Sequence, residues 1–397
     1  MTNPYIDIPD SDDLSKEQRE IYSYGLNRNL IINGAAGSGK TILAILRAKQ
    51  LADSGMRVLF IVFNNSLKEY TTMAMREFGL GDRVLLKMPT DISLEVLGKR
   101  KLSNYMTNED RKRMINFCNY DHVIVDEAQD FDIIDIKMFK YFGNNTTLCC
   151  DRKQGIFERD FSVPAIKDLF NKDIEEKFLM FTYRNPKNIL KLSIKYYFEK
   201  FNITPVEREQ NRIHCYNETD GRARMVITNN EIDSIAQLIS NAGSEDTIGI
   251  IVPRNEAVKY ISEALSARGI SNEKRYKVKV EGRRYPIVVD DLSFDENKVK
   301  IITLWSAKGL QFDTVIIPFM DEETSPEYSG WTNRSSEGFA IYVAMTRPKS
   351  NLYFTQTTNS SFPYYNYFDP TYYQEITFDQ DINTPEEIFD IFDDDED

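Results

Sequence analysis

The segment Gly34-Ala35-Ala36-Gly37-Ser38-Gly39-Lys40-Thr41 has the spacing G-x-x-x-x-G-K-[ST]. Glycines in this pattern let successive backbone N–H groups curl around phosphate oxygens, and a helix opening behind them adds its positive end. Lys40 is then placed to reach the β- and γ-phosphates of a nucleoside triphosphate, and the Thr41 hydroxyl to hold Mg²⁺. A second group, Asp126-Glu127, ends the apolar run Val123-Ile124-Val125. An acid there can hold Mg²⁺ over the phosphate loop, which fits Asp126, and its neighbour Glu127 can orient and deprotonate an attacking water. Two acids ending a strand can also simply cap the next helix. With a complete phosphate loop upstream, the hydrolytic reading outweighs capping.

These residues need a scaffold that brings strand ends together. Apolar runs bounded by turn residues predict strands at Leu30–Asn33, Val58–Phe63, Val123–Asp126 and Thr146–Cys150, with a helix over Thr41–Ser54. The alternation restarts with strands at Thr247–Pro253, Val299–Leu304, Thr314–Pro318 and Asn351–Thr355, and a helix over Glu256–Arg268 closed by Gly269. The fold class this predicts is α/β: two domains with mostly parallel sheets flanked by helices, 1–177 and 178–378, followed by a tail at 379–397. One large sheet is the alternative, disfavoured by ordinary domain size.

Composition narrows the class. The 397 residues are 41% hydrophobic, which suits a globular chain, and no apolar run approaches a membrane span, so no membrane partner is expected. The acidic start MTNPYIDIPDSDD resembles neither a signal nor a transit peptide. Cys149 and Cys150 are adjacent, Cys118 and Cys215 isolated, and none has zinc-ligand spacing, so reduced thiols in a cytoplasmic protein are expected. The net charge is −13, but ten acids and no Lys or Arg lie in residues 379–397, leaving the body close to neutral. A basic nucleic-acid groove is compatible with that balance.

Asp126-Glu127-Ala128-Gln129-Asp130 resembles the D-E-x-Q-D box of the UvrD/Rep/PcrA helicases of superfamily 1, and further boxes follow in family order across residues 14–355. The resemblance implies two RecA-like domains with ATP in the cleft between them. Leu14-Ser15-Lys16-Glu17-Gln18 resembles the upstream glutamine box, which implies that Gln18 reads the adenine edge. Asp151-Arg152-Lys153-Gln154-Gly155-Ile156-Phe157 resembles G-D-x-x-Q-S-I-Y and implies Gln154 near the γ-phosphate. Thr182-Tyr183-Arg184-Asn185 resembles N-Y-R-S, with Tyr183 stacking on adenine and Arg184 reaching the γ-phosphate from the second domain. Residues 304–312 (LWSAKGLQF) resemble V-H-S-A-K-G-L-E-F, placing Gly309 and Gln311 near the nucleotide. Residues 342–349 (YVAMTRPK) resemble Y-V-A-L-T-R-A-K, making Arg347 the arginine finger.

The chain also departs from the pattern. The family's two large helical insertions are absent or vestigial by spacing, its histidine is Trp305, its glutamate is Gln311, and its DNA-stacking tryptophan is Arg159. Candidate strand contacts are therefore Phe63, Asn65, Phe157, Arg159 and Trp305. Phe63 ends an apolar strand and fits core packing equally well. From the residues alone, 274–286 reads as a β-hairpin turning at Glu281-Gly282, with Lys277, Lys279, Arg283 and Arg284 available to grip phosphates. A solvated basic face is the alternative.

Together these readings point to an ATP- and Mg²⁺-dependent translocase or helicase on single-stranded nucleic acid. The resemblance implies DNA as the track and 3′-to-5′ polarity. Two rivals remain: a strand-activated ATPase switch acting with a nuclease or other partner, and an ATP-binding scaffold that does not hydrolyse. Ile388, Phe389, Ile391 and Phe392 among the acids of the tail suggest a docking peptide for a protein partner or for the chain's own strand groove.

Overall fold

The computed structural model describes residues 9, 11–80, 82–100, 105–151, 162–210, 213–217, 221–278, 287–293, 298–320, 335–357 and 364–378. The chain begins with α1 (Lys16–Tyr22), β1 (Leu30–Gly34), α2 (Lys40–Asp53), β2 (Val58–Ile61), α3 (Asn65–Glu77), β3 (Val84–Lys87), α4 (Pro89–Leu97) and α5 (Asn108–Phe117). Next come β4 (Tyr120–Val125), α6 (Ile133–Lys140), β5 (Gly143–Cys150), α7 (Val163–Leu169), β6 (Glu175–Leu179), β7 (Phe181–Thr182), α8 (Lys187–Lys200), α9 (Pro205–Gln210) and β8 (His214–Cys215). The remainder is β9 (Ala223–Thr228), α10 (Glu231–Asn241), β10 (Ile248–Val252), α11 (Asn255–Ala267), β11 (Asn272–Val278), β12 (Ile287–Asp290), β13 (Val299–Thr303), β14 (Phe312–Ile317), α12 (Ser335–Met345), β15 (Pro348–Thr357) and β16 (Tyr373–Phe378).

The chain divides into two compact units, the first comprising Met1–Arg184, Val206–Asn217 and Lys308–Leu310, the second the rest. Both are α/β, as expected. In the first, six parallel strands run in the order β3-β2-β4-β5-β1-β6. Every residue of β2 is buried, as continuous apolar runs must be when helices cover both faces of a parallel sheet. Ile31, Leu59, Val123, Val125 and Leu148 form the core with Phe131, Phe139 and Phe142. Register aligns Asn33 with Cys150 and Val125 with Leu148, so β1, β4 and β5 end at one edge of the sheet. The phosphate loop, Asp126 and Asp151 follow directly from those ends, the edge where open α/β sheets bind ligands.

The expected seam at 177 needs correction. β6 pairs with β1 through Gly34 and Leu179, so a break at 177 would cut a ladder strand. The first unit runs on through Arg184 and also takes in Lys308–Leu310.

Among the described residues the second unit holds eight strands in the order β12-β11-β13-β10-β14-β15-β9-β16, parallel except for the antiparallel pair β11–β12. The strands expected near 247, 299, 314 and 351 are β10, β13, β14 and β15. β11 pairs antiparallel with β12, with Val278 opposite Ile287, and residues 279–286, on which the expected turn falls, lie outside the described residues. The aromatic stretch after residue 362 packs inward: Tyr364 is fully buried, and the rings of Phe368 and Tyr196 lie 5.5 Å apart. β16, not anticipated, then adds to the sheet edge beside β9. Among the described residues no helix is long and apolar enough to cross a membrane. None of the four cysteines is in a disulfide, and three are buried.

Candidate functional site

The phosphate loop joins β1 to α2 through backbone shapes that only glycine adopts easily: Gly37 has φ +72° and Gly39, the N-cap of α2, φ +91°. No side chain caps α2, which leaves its first N–H groups for an anion. A Cβ on Gly39 would lie 2.6 Å from Gln18 Nε2, and one on Gly37 2.6 Å from Thr182 Oγ1. A Cβ on Gly34 would lie 2.6 Å from the Oγ of Ser38, itself buried. The loop is thus closely packed as well as flexible in φ.

Lys40 is buried, and its ammonium donates to the Gly34 and Ala35 carbonyls, both at 2.9 Å, and lies 3.9 Å from Asp151. Thr41 Oγ1 donates to Asp126 Oδ2 at 2.7 Å. Asp126 has no exposure, and its pKa is pushed up to about 7, first by burial and then by the adjacent Glu127, against the pull of Thr41 and Lys40. A buried carboxylate with a disfavoured charge, in contact with a hydroxyl, suits a divalent cation. Among the described residues no three His, Cys, Asp or Glu side chains cluster as a metal centre. Mg²⁺ at this place would take one carboxylate, one hydroxyl and phosphate oxygens, its usual ligand set.

Glu127 sits in the left-handed region at φ +52°, unusual for a residue with a side chain. Its Oε2 accepts a short hydrogen bond from Gln129 Nε2, and the Gln129 Oε1 accepts from the Asp151 N–H at 3.0 Å. Lys308 Nζ donates to Asp130 Oδ1 at 2.6 Å and lies 3.7 Å from Glu127 Oε2, with Lys308 only 1% exposed. Gln129, Asp151 and Lys308 were not singled out as site residues from the sequence. Their signal is polarity inside boxes flanked by apolar residues, and a role for each requires knowing what it faces.

The expected adenine pair is brought together. Ser15 caps α1, accepting from the Gln18 N–H while Gln18 Oε1 accepts from Ser15 N, and Ser15 also hydrogen-bonds Tyr183. Gln18 Nε2 donates to Ser38 O at 3.1 Å, which leaves one N–H and one lone pair of the amide for a base edge. Tyr183 is half-buried with its ring 5.0 Å from that of Tyr216, and burial raises its pKa.

Arg184 is corrected in position: it belongs to the first unit. Thr182 Oγ1 donates to Ala36 O at 2.8 Å and Tyr183 N to Gly37 O at 2.9 Å, which tie this box to the phosphate loop. Gly309 is also in the first unit, and what demands glycine there is packing: φ is +84°, and a Cβ would lie 2.6 Å from Leu67 Cδ1. In the second unit Arg347 is 1% exposed and donates to Val343 O at 2.9 Å and Thr346 Oγ1 at 3.0 Å. Gln311, half-buried, precedes β14.

The strand candidates divide. Phe63 is half-buried with its ring against Phe131 at 5.2 Å, the core-packing alternative, while Asn65 is exposed at the start of α3. Trp305 is half-buried in the turn after β13. Lys277 is exposed on β11, but its neighbours are neutralised: Lys274 pairs with Asp291 at 3.2 Å and Arg275 with Asp290 at 3.1 Å. The hairpin is therefore less basic than its first strand reads alone. Gln154, Phe157, Arg159, Lys279, Arg283, Arg284 and the tail lie outside the described residues.

Comparison with known proteins bears on both halves. Residues 14–142 match the family described as Type III restriction enzyme, res subunit, and residues 289–359 match the UvrD-like helicase C-terminal domain. These two matches support a UvrD/helicase-like family. The chain is 27% identical over 161 residues to the RecBCD enzyme subunit RecB of Borreliella burgdorferi, covering 37% of the chain but only 14% of that protein. Among solved structures it resembles the C-terminal domain of a possible DNA helicase from Lactobacillus plantarum (22% identity, 49% of this chain, 98% of that one, TM-score 0.33). It also resembles the arterivirus nonstructural protein 10 helicase (12% identity, 86% and 61%, TM-score 0.39) and the same protein with DNA (12%, 86% and 63%, TM-score 0.38).

Proposed function

We propose that the chain is an ATP-driven translocase or helicase on single-stranded nucleic acid, with DNA as the track and 3′-to-5′ polarity. The observation that supports the reading is that Lys40, Thr41, Asp126 and Glu127 lie together at one sheet edge, with Thr41 hydrogen-bonded to Asp126. Gln18 and Tyr183 hold the base, and the phosphate loop takes the phosphates on backbone N–H groups. Lys40 exchanges its two carbonyl partners for phosphate oxygens. Thr41 and Asp126 would hold Mg²⁺, which would supply positive charge against the phosphates. Glu127, steadied by Gln129, accepts the proton of the attacking water. Arg184 and Arg347 are the residues that the resemblance offers to supply positive charge to the γ-phosphate. The acidic, apolar-anchored tail is a docking peptide for a protein partner.

A strand-activated switch without processive unwinding is the second reading, favoured by the sequence spacing, in which the family's two large helical insertions are absent or vestigial. Hydrolysis and strand displacement measured on the same preparation separate the two. Strand-stimulated ATPase with displacement supports the motor, stimulation without displacement the switch, and no hydrolysis refutes both.

A further inference from the structure

The side chain of Tyr183 is held at both ends of its long axis. The backbone N–H donates to Gly37 O of the phosphate loop at 2.9 Å, and the hydroxyl hydrogen-bonds Ser15. Neither contact sets the plane of the ring. Rotation about χ2 turns a tyrosine around the line that joins Cβ to Oη, and that torsion has broad wells. A contact on the ring face is needed to set it, and Tyr216 supplies one: the two ring centroids lie 5.0 Å apart with their planes tilted by 47°.

Backbone pairing brings Tyr216 to this place. β8 runs parallel to β7, with His214 opposite Phe181 and Cys215 opposite Thr182, so Tyr216 comes next beside Tyr183. Tyr216 N donates to Thr182 O at 2.9 Å, and Asn217 Nδ2 donates to Arg184 O at 3.1 Å. All of these residues belong to the first unit. Tyr216 is 66% exposed, so burial in a core does not account for where its ring stands. A base sandwiched between two rings needs about 7 Å between them, the sum of two van der Waals contacts. At 5.0 Å the two tyrosines touch each other, so a base stacks on the far face of Tyr183 and Tyr216 backs the near one.

We propose that Tyr216 is a positioning residue of the base site: it presets the plane of the Tyr183 ring, so that an adenine base meets a wall already oriented. The inference rests on the proposed role of Tyr183 and adds the residue that orients it. Tyr216 touches no phosphate, and it acts on the base only through Tyr183.

The test compares wild type, Tyr216→Ala, Tyr216→Phe and Tyr183→Ala. Each is titrated at equilibrium, with Mg²⁺, against the non-hydrolysable β,γ-imido analogue of ATP and against inorganic tripolyphosphate, and each is melted. The Kd of the analogue should rise about two- to tenfold in Tyr216→Ala, the worth of one aromatic pair. Tripolyphosphate affinity and melting temperature should stay close to wild type, and Tyr216→Phe, which keeps the ring, should restore the Kd of the analogue. An unchanged Kd in Tyr216→Ala beside a raised one in Tyr183→Ala overturns the inference and leaves Tyr183 as the base wall. Equal weakening of both ligands with a lowered melting temperature also overturns it, since β8 then serves only to hold the loop. A Tyr216→Phe variant as weak as Tyr216→Ala does the same, because the ring is then not what acts. A Tyr183→Ala variant that binds the analogue like wild type overturns the inference together with the reading beneath it.

Discussion

Gln129→Met is the perturbation that reads the site most sharply, because one side chain there serves two masters. Its amide donates to Glu127 Oε2 and accepts from the Asp151 N–H at 3.0 Å, and Gln129 and Asp151 are each 2% exposed. Methionine keeps the length and volume but removes both bonds. The unsatisfied, buried Asp151 N–H should cost about 1–3 kcal/mol of stability, and the lost hydrogen bond to the charged Glu127 about 1.5–3 kcal/mol of orientation. A hydrolytic base released from its setting should lower kcat by something on the order of 10²-fold, because the water is no longer held in line. KM for ATP should stay within about twofold, since no ground-state phosphate contact is touched. Phosphate release under saturating ATP and Mg²⁺, with thermal melting on the same samples, gives both numbers. A variant with lowered melting temperature and near-wild-type kcat would refute the argument and leave Gln129 as a strut between two loops.

Further expectations follow from the same geometry. Lys40→Ala should abolish ATP binding or turnover, and Glu127→Gln should bind ATP yet hydrolyse it very slowly, checked by nucleotide binding alongside phosphate release; rapid turnover in the latter removes Glu127 as the base. Trp305→Ala should weaken single-strand binding by about 1–3 kcal/mol with little change in salt dependence, whereas Lys277→Gln should lower the slope of log affinity against log salt by about 0.7 for one lost phosphate contact. Identical salt slopes across wild type and Lys277→Gln would return that lysine to an ordinary solvated face. His122, buried against Thr147 at 2.8 Å, has its pKa lowered to about 3 by burial and by the nearby Arg47. The unfolded chain takes up this proton near the ordinary value of about 6.5 and the folded chain does not, so His122 withdraws up to about 1.4 kcal/mol of stability per pH unit as pH falls below that value. Urea midpoints should therefore drop less steeply on acidification in His122→Gln than in wild type.

Much of the site was legible because its chemistry is local. The phosphate loop carries its glycines, lysine and threonine in one octapeptide, and the apolar runs on either side announce the strand and helix that place it. The acids after β4 were readable for the same reason. Phe63 illustrates where locality fails: an aromatic ending a strand fits stacking or packing equally until Phe131 is seen against it. The seam shows a second limit. Sequence alternation marks where strands restart but not which sheet a strand joins, and β6 closes the first sheet only because its backbone pairs with β1. Arg184 moved with it. Lys308 was invisible for a related reason, since its partners Asp130 and Glu127 lie far back along the chain and only the fold brings them within reach. The pairing of Lys274 with Asp291 and of Arg275 with Asp290 was not readable either, because both acids are contributed by the second strand and its end.

The central claim is that ATP hydrolysis at the Lys40–Asp126–Glu127 site is driven by, and spent on, a single strand of nucleic acid. The most direct measurement is steady-state ATPase of the purified chain with Mg²⁺, with and without single-stranded DNA, coupled to displacement of a fluorescent strand from a 3′-tailed and a 5′-tailed duplex. The account predicts hydrolysis stimulated by the strand and displacement from the 3′-tailed substrate alone, both lost in Glu127→Gln. Hydrolysis indifferent to nucleic acid, or none in a chain that binds ATP, would contradict it.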